Sequence, residues 1–310
     1  MNKDSLWELT KRLSDEAGVI AHEEPVVGIL KEALTPYVDS FSYDRFGNLI
    51  AFKHGEEHGP IVILEAHVDE FGLMVEHVDK EGFISFRGLG VWEDRILPAQ
   101  RVRIRTRKKG EIHGVIGVRP LHIEASALAG GAAWGMRELF IDVGLNNAES
   151  VSKAGIRTGD PIVMDRQLMR FEPNPDMVTG KALDNRIGCA CLVDTMERLS
   201  KESHAANIYA IGSMETELGL KGAINLPREI LQPDVVVVFD VTVAGDVPGV
   251  DPKDRVSKVG DGTAIKVAEY HEFPHGFVVD PGLVDLMIET ATAERIPYQL
   301  EILEEATTCA

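Results

Sequence analysis

The sequence predicts an α/β protein with a mixed sheet and helices on both faces, interrupted by a small all-β, barrel-like insertion. Three observations predict it. Two helix-type segments and then strand-type segments fill the first seventy residues or so, and strands and helices alternate after about residue 171, as in elements that share one sheet. Between them the texture changes to short β-rich runs, "GLMVEHV", "GFISFRG", "QRVRIRTR", "IHGVIGV", "ELFIDVG" and "DPIVMD", separated by turn residues at short intervals. The apolar runs "PIVILEAHVDE", "NIYAIGSMETE" and "DVVVVFDV" read as central strands. The predicted organisation is one α/β domain formed by residues 1–70 and 168–310, with a β-rich insertion at 71–167 and no internal repeat.

In chain order, Leu6, Leu9 and Leu13 recur at helical spacing and predict an amphipathic helix over Ser5 to Glu16. A second helix runs from Glu24 to Leu34 and stops near Pro36. Strands follow in "DSFSYD", "GNLIAFKHG" and "PIVILEAHVD", the first two joined by an "RFGN" hairpin turn. Inside the β-rich region, "SALAGGAAWGM" (Ser126 to Met136) is rich in small residues and reads as a loop. Later come a helix over Asn185 to Ser200, a strand over Asn207 to Glu215 and a short helix over Pro227 to Leu231. A buried strand "DVVVVFDVT", a helix over Pro281 to Ala293 and a strand "YQLEIL" complete the pattern.

Bulk properties exclude several functions. The chain of 310 residues has 44% hydrophobic and 26% charged residues, ordinary for a globular protein, and a net charge of −18. That balance argues against nucleic acid and against an anionic membrane surface as partners. The basic run "RVRIRTRKK" alternates with Val and Ile, and so reads as a half-exposed strand. Three cysteines make no disulfide framework, and Cys189 and Cys191 read as small core residues. The N-terminus has no apolar signal region, and no apolar run approaches the ~20 residues that span a bilayer. A cytoplasmic protein is the simplest reading.

The chemistry-bearing residues gather at strand ends. "PIVILEAHVDE" closes on His67 and Asp69, "NIYAIGSMETE" on Glu215 and Glu217, and "DVVVVFDV" on Asp240; Asp184 in "GKALDNRIG" precedes a helix. Ligands of open α/β sheets collect outside the carboxyl ends of the strands. One histidine and three carboxylates from separate segments suit zinc, cobalt or manganese. Each residue also has an ordinary role: Asp184 as a helix cap, His67 as a hydrogen-bonded structural histidine, the remaining acids as turn residues. Their coincidence at strand ends favours the metal. In H-x-D, Asp69 can orient the ring of His67, and Asp184 could bridge two ions that polarise a carbonyl and acidify a shared water.

Four segments in order, "AHVDEFGLMV", "GKALDNRIGC", "ETELGLKGA" and "VVFDVTVAGDVPG", closely resemble the glutamyl or deblocking aminopeptidase family, also labelled cellulase M or endoglucanase. "LPAQRVRI", "GVIGVRPLH" and "ELFIDVG" resemble its inserted β-domain, so the resemblance covers nearly the whole chain. It implies a two-metal aminopeptidase acting on peptides, with zinc or cobalt, often assembled as a large homo-oligomeric, dodecameric shell. Carried over, His67, Asp184 and Asp240 hold one ion, Asp184 and Glu217 hold the other, and Asp69 is the partner of His67.

Two departures set this chain apart. The family has two adjacent glutamates, the general base and then a ligand; here the ligand position is Glu217, but the base position holds Thr216. Glu215 lies one residue further back and, in a strand, would point to the opposite face. The family also continues past "YQLEIL" to a late histidine of the second metal site, whereas this sequence ends in "EEATTCA"; His271 and His275 are the nearby histidines. The metal count expected here is therefore two, or one. An alternative follows: a catalytically impaired relative that binds metal or peptide or serves as a structural subunit. Large activation by Thr216→Glu would show that only the base is absent. A third reading, a glycosidase using Glu215 and Glu217, leaves the His–Asp residues unexplained.

Overall fold

The computed structural model describes residues 1–120, 134–227, 232–270 and 276–303. The chain divides into two compact units, Met1–Phe239 and a second that begins at Asp240. Among the described residues, no helix is long and apolar enough to cross a membrane.

The first unit opens with α1 (Lys3–Asp15), whose N-cap Asn2 accepts the Ser5 N–H at 2.8 Å. Helix α2 (Glu24–Leu34) follows, with Pro25 in its first turn, where a missing N–H costs nothing. Strands β1 (Ser40–Tyr43) and β2 (Leu49–Lys53) form the expected hairpin, and β3 (Ile61–His67) lies next in sequence.

Six strands then close into a barrel: β4 (Gly72–Val78), β5 (Ile84–Leu89), β6 (Arg101–Thr106), β7 (Gly110–Gly117), β8 (Phe140–Asp142) and β9 (Pro161–Met164), with α3 (Ala148–Ala154) before the last. Its neighbours pair antiparallel in the order β4-β5-β8-β7-β6-β9. Leu73, Ile84, Val102, Ile104, Ile141 and Ile162 fill the interior. Strand β6 shows the predicted alternation: Val102, Ile104 and Thr106 are buried, and the arginines between them are not. Closure leaves the barrel no free edge.

A hairpin of β10 (Met169–Phe171) and β11 (Asn174–Thr179) precedes α4 (Leu183–Leu199), β12 (Asn207–Ser213), the short α5 (Lys221–Ile224) and β13 (Val235–Val238). The central sheet is ordered β1-β2-β12-β3-β13 and is mixed: β12 and β13 run parallel to β3, and β2 runs antiparallel to β12. Leu64 and Ala66 of β3 join the core built with α1, α2 and α4. Ile63 packs in a separate cluster with Ile211. Side chains alternate along a strand, so Glu65 and His67 continue the Ile63 series.

The second unit holds β14 (Thr263–Glu269), β15 (Phe277–Val278), α6 (Pro281–Ala293) and β16 (Tyr298–Leu303). Strand β14 pairs antiparallel with β15 and parallel with β16, the latter reached through α6. Asp280 caps α6, accepting the Leu283 N–H at 3.1 Å. The structure departs from expectation at three elements. Strand β13, expected as buried, leaves Val236 and Val238 45% and 38% exposed. The β10–β11 hairpin is almost wholly exposed and carries no burial pattern to read. Strand β12 ends at Ser213 rather than Glu215. The loop expected at 126–136 lies outside the described residues as far as 133. The helix expected at 227–231, from 228 on, together with His271, His275 and the "ATTCA" segment, also lies outside them.

Candidate metal centre

Strand β3 delivers His67 at its carboxyl end, directly beside Ser213 at the end of parallel β12. The chain after β12 does not continue extended. Glu215 adopts a left-handed conformation (φ +48°) and starts a 3-10 turn over Thr216–Leu218. The expectation that Glu215 points to the opposite face of a strand therefore does not apply, because the strand has already stopped. At α4, Ala182 is likewise left-handed (φ +51°), and Asp184 has non-helical angles (φ −82°, ψ 107°) inside the first turn. Asp184 is thus not the helix cap; its carboxylate reaches back over β3.

Side chains of His67, Asp184 and Glu217 each offer a ligand atom, and these atoms lie within 4.8 Å of one another. His67 and Asp69 are fully buried. Nδ1 of His67 lies 3.2 Å from Asp69 Oδ1, and Nε2 lies 3.0 Å from Asp184 Oδ1. The other Asp69 oxygen accepts the Glu217 N–H at 2.9 Å. One buried carboxylate thus fixes both the imidazole and the backbone of the Glu217 turn. When Nδ1 donates to Asp69, Nε2 presents a lone pair to a carboxylate oxygen, and two acceptors cannot satisfy each other. A proton or a cation has to lie between them. Asp184 is 44% exposed, so the group is open on that side, as a hydrolytic metal site needs for water and substrate. The mixed nitrogen and oxygen donor set fits zinc, cobalt or manganese.

The remaining candidates sit differently. Thr216 is 1% exposed, and its Oγ1 lies 3.3 Å from Ser213 Oγ. Ser213 in turn donates a short hydrogen bond to Glu65 Oε1. A buried carboxyl group therefore stands behind Thr216, supplied by β3. Sequence reasoning missed it, although an acid two residues before His67 in an otherwise apolar strand was a usable signal. Glu215 pairs with Lys221 at 2.9 Å, and its N–H donates to Glu23 Oε1 at 3.1 Å. Glu23, also missed, is fully buried; burial pushes its carboxyl up to about 7, and the charge of Asp69 adds to the effect. Asp240 opens the second unit, where its Oδ1 accepts the Val241 N–H at 2.8 Å. Cys189 is buried and Cys191 exposed.

Known proteins carry the same arrangement of chain. The M42 glutamyl aminopeptidase family matches residues 47–310. FrvX of Escherichia coli (strain K12), provisionally named an aminopeptidase, is 34% identical over 302 residues, spanning 97% of this chain and 81% of its own. The lysyl aminopeptidase of Pyrococcus furiosus is 31% identical over 308 residues, spanning 95% of this chain and 80% of its own. Among solved structures, aminopeptidase APDkam598 from Desulfurococcus kamchatkensis superposes with a TM-score of 0.90 at 33% identity, over 99% of this chain and 82% of that one. The chain belongs to the M42 glutamyl aminopeptidase family and is an aminopeptidase, a hydrolase of peptide bonds.

Proposed function

We propose that the protein removes N-terminal residues from peptides at a divalent-metal centre to which His67, Asp184 and Glu217 contribute ligands. The observation that carries this reading is the convergence of those three ligand atoms, with Asp69 orienting the imidazole. Zinc or cobalt bound there would polarise the scissile carbonyl and acidify a water. Asp69 keeps the His67 lone pair on Nε2, and the same carboxylate holds the Glu217 turn in place. Asp184 is the exposed ligand, and the family resemblance assigns it as the bridge between two ions, the first held also by His67 and Asp240 and the second by Glu217. The β-barrel, residues 71–167, is read as an insertion in the metallopeptidase domain.

Thr216 occupies the place of the family base. A threonine hydroxyl does not accept a proton at neutral pH, and general base catalysis typically contributes ~10²–10⁴-fold. Turnover is therefore expected to be slow rather than absent, which sets the impaired-relative reading at the level of rate. The glycosidase reading finds no support, because the Glu215 carboxylate is paired with Lys221 while that of Glu217 is gathered with His67 and Asp184. Relatives are named for lysyl and glutamyl substrates, so residue preference has to be read from a panel.

The deciding experiment measures metal content of the purified protein and release of arylamine from an aminoacyl-arylamide panel with zinc, cobalt or manganese. Metal-dependent cleavage that disappears in His67→Ala is the expected result. Absence of both bound metal and cleavage would overturn the reading.

A further inference from the structure

Two of the three candidate ligands, His67 and Asp184, come from segments far apart in the chain, the end of β3 and the start of α4. A single buried ionic cluster joins those segments immediately behind the ligands. Glu70 follows Asp69. Its carboxylate, 5% exposed, accepts Lys181 Nζ on both oxygens at 2.8 and 3.0 Å, Arg186 Nη2 at 3.4 Å and the Gly18 N–H at 3.0 Å. Lys181 and Arg186 straddle Asp184 in sequence, three residues before it and two after.

Both cations are also tied to backbone carbonyls at and beyond the end of α1. Lys181 donates to Glu16 O at 2.6 Å; Arg186 donates to Leu13 O at 2.7 Å and to Gly18 O at 3.3 Å. Arg186 is fully buried, and it fits because residue 18 has no side chain: a Cβ there would lie 2.6 Å from Arg186 Nη2. The segment between β3 and α4 is thus pinned at three points around the residues that must meet at His67 and Asp184.

Stability is a poor explanation for this cluster. Taking three charges out of water is costly, and well-packed apolar residues of similar volume often serve as well or better. Its position suggests another explanation. Two cations and one anion leave a net positive charge on the chain segments that flank Asp69 and Asp184, and the carboxylates of Asp69, Asp184 and Glu217 repel one another in the arrangement seen here. Groups that hold metal ligands from behind typically set metal affinity by 10–100-fold when they are changed.

We propose that Glu70, Lys181 and Arg186 form a positioning clamp that sets the spacing of His67 and Asp184 and thereby the affinity of the site for metal. This rests on His67, Asp184 and Glu217 being metal ligands. None of the three clamp residues contacts substrate; each acts through the ligands.

The test uses the complete chain stripped of metal and titrated with cobalt(II), following the visible absorption of the bound ion, with thermal unfolding of the metal-free protein measured in parallel. The expected result is cobalt affinity about 10–100-fold weaker in Glu70→Gln and in the near-isosteric pair Glu70→Gln with Lys181→Met, with a shifted absorption band. Lys181→Arg, which keeps charge and donors, is expected to retain most of the affinity. A purely structural cluster would lower the unfolding temperature and leave the affinity and spectrum of the folded variants unchanged, which would overturn the clamp alone. If the unaltered protein binds no cobalt, or His67→Ala binds it equally well, the ligand reading itself falls and the clamp with it. Should Glu70→Gln fail to fold, Lys181→Met alone decides between the same outcomes.

Discussion

Thr216 shows how one residue changes meaning when its surroundings are known. In the sequence it is a hydroxyl where the family has a carboxylate, and large activation by Thr216→Glu would mean that only the base is absent. The surroundings of Thr216 argue against that outcome. Thr216 is enclosed, and behind it, through Ser213, lies the Glu65 carboxyl group. Thr216→Glu would force a second carboxyl group into a closed space beside the first. Overpacking a closed space costs about 1–3 kcal/mol, and an unpaired buried carboxylate adds to it, so the single variant is expected to unfold at markedly lower temperature and to gain no activity. Adding Glu65→Ala should restore stability and, with it, any benefit of a carboxylate at 216. Thermal unfolding and arylamide turnover of the single and double variants check this; equal stability of Thr216→Glu and the parent chain would refute it.

At the scale of elements, Glu23 links the entry of α2 to the turn after β12, because its carboxyl accepts N–H groups from both Ala21 and Glu215. Burial and the facing Asp69 hold its proton until about pH 7, against an ordinary value of 4.5. The folded chain therefore binds that proton more tightly than the unfolded chain. This contribution to stability is complete below pH 4.5, declines as pH rises, and is gone above about 7. Glu23→Gln cannot ionise, so in the metal-free protein it is expected to match the parent near pH 4.5 and to exceed it at pH 8. Unfolding temperatures at the two values check this, and a constant difference across that range would count against it.

Much of this scale was legible in the sequence. Helices α2 and α6 span the residues the sequence reading gives them, Glu24 to Leu34 and Pro281 to Ala293, and β6 announces itself by alternation. What was hidden is the chain around the site. Glu215 and Ala182 take left-handed conformations without being glycine, which costs ~1–2 kcal/mol and leaves no mark in a propensity or a pattern. At Glu215 the conformation is held by tertiary bonds to Glu23 and Lys221 that only the fold supplies. The ligand types were therefore readable, while the direction in which Glu215 and Thr216 face was not.

For the whole molecule, the net charge of −18 makes like chains repel at low salt. The second unit nevertheless exposes an apolar strip: Leu300 and Ile302 lie two apart on β16 at 51% and 54% exposure, with Val278 of β15 at 67%. Family resemblance suggests a homo-oligomer, and this strip supports the same reading. Light scattering behind gel filtration is expected to give a mass several times that of one chain, more completely at 0.15 M salt than at 0.01 M, since salt shortens the reach of charge repulsion. Leu300→Lys with Ile302→Lys should shift it toward the monomer. A monomeric parent chain at both salts would dispose of the idea.

The Glu70–Lys181 pair has a consequence for barrel length. The whole barrel, from Gly72 to Met164, is threaded between those two residues, and their side chains meet at 2.8 Å. To the folding chain that stretch is one long loop, and the entropy of closing a loop grows only slowly with its length. Insertions and deletions within the barrel thus leave the cost of joining its neck nearly constant. Changes in barrel length are therefore expected to leave the joining of the neck, and the ligand spacing proposed to depend on it, little altered.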